Sequence, residues 1–253
     1  MDLKLKGKTA IVTGAGSRTG FGRQICLTLA GEGANIVAAD INLDWVKQTA
    51  AEVTALGQKA LAVKADVTKP AEMKDLVKAA LGKFGRVDIM VNNAGIMTPM
   101  KPFVQSTEAE WDKMIAINLK GVLNGSLAVI DPMVKQKYGK IVNIASIAGR
   151  YGPPNAAVYG VTKAGVVNFT RALALELIPF GINVNCVCPG AVLTTGLYGE
   201  VSKEQQDKIV VTIPRGVQGR PEDIANMVTY LASDVAVHIV GQAIAVDGGK
   251  TMI

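Results

Sequence analysis

The sequence predicts an α/β protein built as one doubly wound, seven-stranded parallel sheet with helices on both faces. Short apolar runs alternate with helical stretches along all 253 residues. The runs are apolar on both faces, as strands of a parallel sheet covered on both sides must be. A glycine-rich turn follows the first run, and no linker or charge block divides the chain. Together these observations predict a single Rossmann-type domain over residues 1–253.

Each predicted element follows from its length and apolar pattern. Strands are predicted for the short apolar runs at 8–13, 35–39, 59–64, 87–92, 140–144, 182–187 and 243–246. Helices are predicted for the longer stretches between them at 22–31, 43–56, 70–84, 108–135 with an interruption at Gly121, 156–177 and 221–232. Strands joined through helices imply right-handed crossovers and a parallel sheet.

The composition narrows the class of protein. Hydrophobic residues make up 49% of the chain and charged residues 19%, which predicts a large core. The first residues contain no apolar signal core, and no run of about 18 apolar residues occurs, so we expect a cytoplasmic protein without a membrane segment. The net charge of +6 is scattered rather than gathered in a stripe, which argues against nucleic acid and favours anionic small molecules.

Cysteine and histidine usage excludes two further classes. Cys26, Cys186 and Cys188 are too few for a disulfide framework, and with His238 they make a poor set of zinc ligands. We therefore expect no metal site. His238 is the only histidine and lies far from any G-x-S-x-G turn, which argues against a Ser-His-Asp hydrolase.

The glycine-rich turn between the first strand and the first helix predicts a phosphate site. It reads Thr-Gly-Ala-Gly-Ser-Arg-Thr-Gly-Phe-Gly over residues 13–22. Glycines let the backbone approach a pyrophosphate, and the free N–H groups at a helix start favour its charge. The predicted cofactor contacts in this turn are Gly14, Gly16, Ser17, Arg18, Gly20 and Phe21.

Asp40 ends the second predicted strand and indicates which dinucleotide binds. A carboxylate there accepts hydrogen bonds from an adenosine ribose and repels a 2′-phosphate, which favours NAD over NADP. Arg18 is the opposing signal, because a cation in the turn pairs well with a 2′-phosphate. The alternative role of Asp40 is to cap the following helix, but Asn42 can fill that role. We also expect contacts from Ile41, Asp66 and Val67, with helix capping near Pro70 as the alternative role of Asp66.

Tyr159 and Lys163 form a candidate proton-transfer pair. In a helix the i,i+4 spacing places both side chains on one face, and Ser146 comes from the tip of a neighbouring strand. A free phenol has a pKa near ~10, and a cation nearby favours the phenolate and brings the group closer to neutral pH. The spacing alone is common, so this prediction depends on the other motifs.

These motifs together resemble the short-chain dehydrogenase/reductase family over essentially the whole chain. They are the glycine-rich turn, Asn-Asn-Ala-Gly at 92–95, Asn118, Ser146, Tyr159 with Lys163, and Pro189-Gly190. The resemblance implies a nicotinamide-dependent oxidoreductase, commonly a homotetramer. One difference is that five residues separate Gly14 from Gly20, a longer turn than the family usually has, which makes Ser17 and Arg18 candidates for an additional phosphate clasp.

The resemblance also implies roles for individual residues. Tyr159 would be the general acid/base, Lys163 would lower its pKa and bind the nicotinamide ribose, and Ser146 would donate to the substrate oxygen. Asn118 would hold a water, with a bond to its own helix backbone as the alternative. Asn92 would steady the central strands. Further cofactor contacts would come from Asn93, Ala94, Gly95, Pro189, Gly190, Val192 and Thr194.

The substrate is expected over Ser146 and Tyr159, beneath a lid at about 191–214. Ile147, Met97, Leu197 and Tyr198 would give this pocket an apolar wall, which suits a secondary alcohol or ketone. One alternative is an NADPH-dependent 3-oxoacyl-thioester reductase. Another is a non-catalytic NAD-binding sensor or scaffold, against which the presence of Ser146, Tyr159 and Lys163 argues.

Overall fold

Seven parallel strands form one sheet in the order β3-β2-β1-β4-β5-β6-β7, in a computed structural model that describes residues 1–192 and 202–252. This confirms the predicted fold class. The strands are β1 Thr9–Thr13, β2 Asn35–Asp40, β3 Ala60–Lys64, β4 Ile89–Asn92, β5 Gly139–Ile144, β6 Ile182–Pro189 and β7 Ala243–Val246.

Helices cover both faces of the sheet. The α-helices are α1 Phe21–Gly31, α2 Leu43–Ala55, α3 Pro70–Phe84, α4 Glu108–Met114, α5 Gly121–Gln136, α6 Ala157–Leu177, α7 Lys203–Val210 and α8 Pro221–Leu231. Short 3-10 helices occupy Phe103–Gln105, Ile147–Gly149, Ile178–Phe180 and Asp234–Ala236. One core cluster packs α1, α2 and α8 on the sheet, and a second packs α3, α5 and α6 on its other face. Neighbouring strand residues such as Ile11 and Val12 enter opposite clusters, as the pleat requires.

The stretch predicted as one interrupted helix at 108–135 consists of α4, a π-helical segment at Ile115–Lys120, and α5. Helix α4 begins at a capping box in which Thr107 and Glu110 satisfy each other's backbone N–H groups. At the predicted interruption, Gly121 lies so close to Val67 that a Cβ would come within 2.7 Å of its Cγ2 atom. By length and composition the 29 residues Glu108–Gln136 could cross a bilayer, but 39% of the apolar window is buried inside the domain and core helices pass the same test.

Strand β4 starts two residues later than predicted because of Asp88. Its carboxylate is fully buried and accepts hydrogen bonds from the Thr9 backbone N–H at 2.9 Å and from Arg86 at 2.6 and 2.7 Å. The side chain therefore takes the partner that a continued strand ladder would have used.

The sheet order reverses between β1 and β4, and the carboxyl ends of these strands are tied together. The Thr13 hydroxyl donates to the Val91 carbonyl at 3.3 Å and accepts from the backbone N–H groups of Asn93 and Ala94 at 3.1 and 3.2 Å. Ligands of doubly wound sheets bind at this kind of switch point. The candidate site lies there.

Candidate active site

Gly14 and Gly22 pack so closely against neighbouring residues that a side chain at either position would not fit. Gly14 has φ +64°, and a Cβ on it would lie 2.8 Å from the Ala94 Cα. A Cβ on Gly22 would overlap the Gly14 carbonyl oxygen and lie 2.6 Å from Nδ2 of Asn93. Asn93 in turn donates from that nitrogen to the carbonyls of Thr13 and Gly14, at 2.8 and 3.1 Å. The turn is therefore locked onto the end of β4.

The start of α1 suits a phosphate group. Gly20 is the N-cap residue and makes no side-chain cap hydrogen bond, and the first turn of the helix, which begins at Phe21, contains no acidic residue. The first backbone N–H groups of a helix have no intrahelical acceptor and carry partial positive charge. Together with the closely packed glycines, this arrangement fits the pyrophosphate of a dinucleotide.

Asp40 is the last residue of β2 and lies beside the glycine-rich turn. Its Oδ2 accepts from the Gly16 N–H at 3.0 Å and its Oδ1 from the Asn42 N–H at 3.1 Å. Asn42, not Asp40, caps α2 by accepting from the backbone of Asp44 and Trp45. Ile41 is exposed next to the carboxylate. The carboxylate is thus free of the capping role and sits where an adenosine ribose is expected.

Arg18, a predicted phosphate contact, points toward α2 in this structure. Its guanidinium donates from Nε and Nη2 to Oε1 of Gln48, at 3.3 and 3.2 Å. The phosphate clasp stays a prediction. Ser17 stays within the turn, where its carbonyl accepts from the Gly20 N–H at 3.2 Å. Sequence reasoning missed Gln48 because its contact with Arg18 depends on how the turn lies along α2.

Asp66 and Val67, the predicted cofactor contacts after β3, lie in a local turn that leads to α3. Asp66 accepts from the N–H and the hydroxyl of Thr68 in a local turn, at 2.9 and 2.7 Å, while Lys69 is the N-cap of α3. The alternative capping role of Asp66 is therefore not observed. Val67 is 8% exposed, and its carbonyl accepts from Asn124 at 2.8 Å.

Asn118 belongs to the π-helical segment and reaches the loop after β4. Its Oδ1 accepts from the Ile96 N–H and its Nδ2 donates to the Ile96 carbonyl, both at 2.8 Å. The same Nδ2 donates to the Thr162 hydroxyl on α6 at 3.3 Å. The bond to its own helix, considered as the alternative, is not observed. Asn118 fixes the loop that contains Gly95, and π-helical turns are frequent at functional sites.

Asn92, at the end of β4, links central strands, as the family resemblance implied. Its Nδ2 donates to Oδ1 of Asn143 on β5 at 2.8 Å and to the Ser126 hydroxyl on α5 at 3.0 Å. These bonds brace the sheet directly under the site.

Ser146 is presented by the 3-10 turn that follows β5. Its hydroxyl oxygen accepts from the Ala148 N–H at 3.1 Å, which leaves the hydroxyl hydrogen to donate elsewhere. The turn packs tightly on α6, since a Cβ on Gly149 would lie 2.5 Å from the Lys163 carbonyl carbon. Ser146 is thereby held next to the first turns of α6, which carry Tyr159 and Lys163.

Lys163 is buried, and its Nζ donates to the Ile144 carbonyl at 2.9 Å. Burial lowers the pKa of Lys163 to about 8, an effect that the nearby thiols of Cys188 and Cys186 partly offset. The Nζ atom lies 5.8 Å from the ring centroid of Tyr159. It also lies 3.4 Å from the position of a Cβ on Gly95, so the ammonium is close to the loop after β4.

The end of β6 forms the remaining side of the candidate site. Pro189 ends the strand, and the Gly190 N–H donates to the Val246 carbonyl at 3.0 Å. A Cβ on Gly190 would lie 2.7 Å from Asp247, so only glycine fits. Val192 is buried and pairs with Gly219 in an isolated bridge.

The predicted substrate residues are only partly brought together. Met97 lines a cleft with Tyr159, Phe103, Met114 and Val158. Ile147 does not reach it, because its side chain packs in a third core cluster and is 6% exposed. Thr194, Leu197 and Tyr198 lie outside the described residues. The region predicted as a lid contains helix α7. Within residues 1–192 and 202–252, no group of three His, Cys, Asp or Glu side chains is placed to hold a metal ion.

Comparisons with known proteins agree with this geometry. A family model described as enoyl-(acyl carrier protein) reductase matches residues 14–251. The chain is 37% identical to a 3-oxoacyl-[acyl-carrier-protein] reductase from Thermotoga maritima, over 98% of this chain and 99% of that protein. It is 40% identical to the (2S)-[(R)-hydroxy(phenyl)methyl]succinyl-CoA dehydrogenase subunit BbsD from Thauera aromatica, over 98% of each.

Solved structures give the same result over the whole fold. A short-chain type dehydrogenase/reductase from Mycobacterium marinum superimposes with a TM-score of 0.94 at 33% identity, covering 100% of this chain and 98% of that chain. Levodione reductase superimposes with a TM-score of 0.93 at 33% identity, covering 98% of both chains. With the sheet order and the motifs at the strand ends, these matches show that the chain belongs to the short-chain dehydrogenase/reductase family of oxidoreductases.

Proposed function

We propose that the protein is an NAD(H)-dependent oxidoreductase that interconverts a secondary alcohol and a ketone. The observation that carries this proposal is the grouping of Ser146, Tyr159 and Lys163 at the carboxyl end of the sheet, beside a glycine-rich turn that fits a dinucleotide. When bound, the nicotinamide would accept or supply a hydride at the substrate's carbinol carbon. The protein's own residues transfer the proton of the substrate hydroxyl and orient the substrate.

In the proposed mechanism Tyr159 exchanges a proton with the substrate oxygen. Lys163, whose ammonium is near the Tyr159 ring, favours the phenolate electrostatically. Ser146 donates its hydroxyl hydrogen to the same substrate oxygen and stabilises the charge that develops there. Asn118 contributes by holding the loop of Gly95 and Ile96 in place, because its amide is engaged with the Ile96 backbone.

Asp40 is the basis of the proposed preference for NAD. A 2′-phosphate placed beside this carboxylate would meet like charge, whereas ribose hydroxyls would find an acceptor. Lys64 is opposite Asp40 in the β2–β3 register, and within the described residues the two side chains form no ion pair. Arg18 is held on Gln48. The balance of these groups favours NAD over NADP.

A second candidate is an NADPH-dependent 3-oxoacyl-thioester reductase. The observation in its favour is the 37% identity to a protein named 3-oxoacyl-[acyl-carrier-protein] reductase. The two candidates share one reaction, since a 3-oxo group is a ketone, and they differ in the group attached to it and in the cofactor. A non-catalytic NAD-binding role is disfavoured, because Ser146, Tyr159 and Lys163 are all present and adjacent elements hold them together.

Steady-state assays with purified protein separate these candidates. NADH and NADPH are each offered with a panel of secondary ketones, cyclic and aromatic, and with 3-oxoacyl thioesters. We expect a higher kcat/KM with NADH than with NADPH, and turnover of apolar ketones. A preference for NADPH with 3-oxoacyl thioesters would establish the second candidate instead. NAD binding without turnover of any substrate would establish the non-catalytic role.

We also propose a cytoplasmic homotetramer with a substrate lid at about 191–214. The family resemblance supports all three features. The apolar outer faces of α5 and α6 further support the tetramer.

A further inference from the structure

The long glycine-rich turn is fastened to α2 by one side-chain contact. Arg18 donates from Nε and Nη2 to Oε1 of Gln48 at 3.3 and 3.2 Å. Gln48 lies three residues after Trp45, so the two share one side of α2. Trp45 touches the turn as well, because its Cβ is 2.9 Å from the position of a Cβ on Gly16. The turn therefore runs along this side of α2, and the Arg18 side chain ends on Gln48.

The charges around this contact indicate that the position of the Arg18 guanidinium affects phosphate binding. Within the described part of the chain, Arg18 has no carboxylate within 4.0 Å, and its acceptor is a neutral amide. Lys47, which precedes Gln48 on α2, is paired with Asp44 at 3.4 Å. A guanidinium binds phosphate through paired, charge-assisted hydrogen bonds that are stronger than bonds to a neutral amide. Arg18 would thus bind a 2′-phosphate if its side chain were released.

We propose that Gln48 is a positioning residue for cofactor choice: by holding the Arg18 guanidinium on α2, it keeps this cation from pairing with a 2′-phosphate beside Asp40. The inference rests on the proposed dinucleotide site. It assigns the discrimination against NADP to two groups, the Asp40 carboxylate and the Arg18–Gln48 contact. Removing the Arg18–Gln48 contact while Asp40 stays in place should weaken the discrimination against NADP without reversing it.

The expected effect is modest because both side chains are exposed. Water competes for the hydrogen bonds of exposed side chains, so the Arg18–Gln48 contact should change the affinity for NADPH by a small factor. Gln48→Leu should therefore lower the dissociation constant for NADPH by about three- to tenfold. The dissociation constant for NADH should change by less than about twofold, because no 2′-phosphate is present.

The test is a double-mutant cycle read by equilibrium binding. Wild type, Gln48→Leu, Arg18→Ala and the double variant are titrated with NADH and with NADPH by calorimetry, and thermal melts check that each variant is folded. Gln48→Glu is the conservative control, since it keeps the acceptor for Arg18 and should not gain affinity for NADPH. The gain caused by Gln48→Leu should vanish when Arg18 is already alanine.

Two results would overturn the inference. One is an unchanged NADPH dissociation constant in folded Gln48→Leu protein. The other is an equal gain in the Arg18→Ala background, because the effect would then not pass through Arg18. A failure of the proposed function gives a different result. If wild type already binds NADPH more tightly than NADH, the proposed preference for NAD is wrong. The double-mutant cycle still measures the coupling between Arg18 and Gln48 in that case.

Discussion

Lys163 carries a charged group into the interior of the protein, and this has a consequence for stability. Burial holds its pKa at about 8, below the ordinary value of 10.5. Between these pH values the unfolded chain binds more protons than the folded one, so this residue makes the free energy of unfolding rise with pH across that window. Below about pH 8 both states are protonated, and the full cost of the buried charge is present.

We therefore predict a pH-dependent difference between cofactor-free wild type and Lys163→Met. Relative to the variant, wild type should gain stability from pH 8 to pH 10, by up to about 3 kcal/mol over the whole window to 10.5. Urea denaturation at several pH values measures the difference. Parallel pH profiles for the two proteins would show that Lys163 has no lowered pKa.

Gln218 is a buried amide whose side-chain oxygen and nitrogen have no hydrogen-bond partner among the described residues. It is 9% exposed. Burying an unpaired amide costs about 1 to 3 kcal/mol, so Gln218→Met should raise the free energy of unfolding by roughly 1 to 2 kcal/mol. Chemical denaturation measures this gain.

Gln136→Met is the matched control for that prediction. The Gln136 amide accepts from the Val87 N–H at 3.1 Å and donates to the Val87 carbonyl at 2.8 Å. Its replacement should lower stability by about 1 to 3 kcal/mol, because the Val87 groups lose their partner. Destabilisation by both substitutions would mean that the Gln218 amide is satisfied in solution.

Helix α1 contains two glycines with opposite surroundings. A Cβ on Gly22 would overlap the Gly14 carbonyl, whereas nothing lies within 4 Å of a Cβ on Gly31. Gly22→Ala should cost several kcal/mol or displace the turn and weaken dinucleotide binding. Gly31→Ala should be neutral or stabilise by about 0.5 to 1 kcal/mol, since it has helical backbone and open space. Thermal unfolding of both variants checks this, and equal effects would contradict the packing described for the turn.

Most elements could be predicted because their signals are local. The strands are apolar runs between turn residues, and Asn42 was recognisable as the cap of α2 from its position and type. The π-helical segment was not predictable in the same way. It forms where Asn118 reaches Ile96 and Gly121 packs on Val67, and both partners are distant in sequence. The late start of β4 likewise depends on the contact between Asp88 and Thr9.

In the site, the residue types were predictable and several contacts were not. The order of Ser146, Tyr159 and Lys163 along the chain identifies a family pattern. The contact between Arg18 and Gln48 depends on how the turn lies on α2, which no local signal encodes. Ile147 was predicted to contact the substrate, and the 3-10 turn that starts after Ser146 packs its side chain in a core cluster, which no local signal encodes.

At the scale of the whole molecule, the outer faces of α5 and α6 are apolar. Leu127 on α5 is 66% exposed, and Val161 and Leu175 on α6 are 65% and 74% exposed. Apolar stripes of this kind favour pairing with further copies of the chain. Leu127→Glu should therefore reduce the proposed tetramer to smaller species in sedimentation experiments. Leu56→Glu, at a residue 53% exposed beyond the end of α2, should leave assembly unchanged. A monomeric wild type, or an intact Leu127→Glu tetramer, would contradict this interface.

The proposed mechanism routes the proton between substrate and solvent through Tyr159. The most direct measurement compares wild type with Tyr159→Phe for NADH-linked turnover of an accepted ketone, with NADH binding measured on the same samples. We predict that kcat falls by at least about a thousandfold while the NADH dissociation constant changes by less than about threefold, because the ring remains and only the proton-exchanging hydroxyl is lost. A Tyr159→Phe protein that retains most of its turnover would show that Tyr159 is not the proton-transfer group.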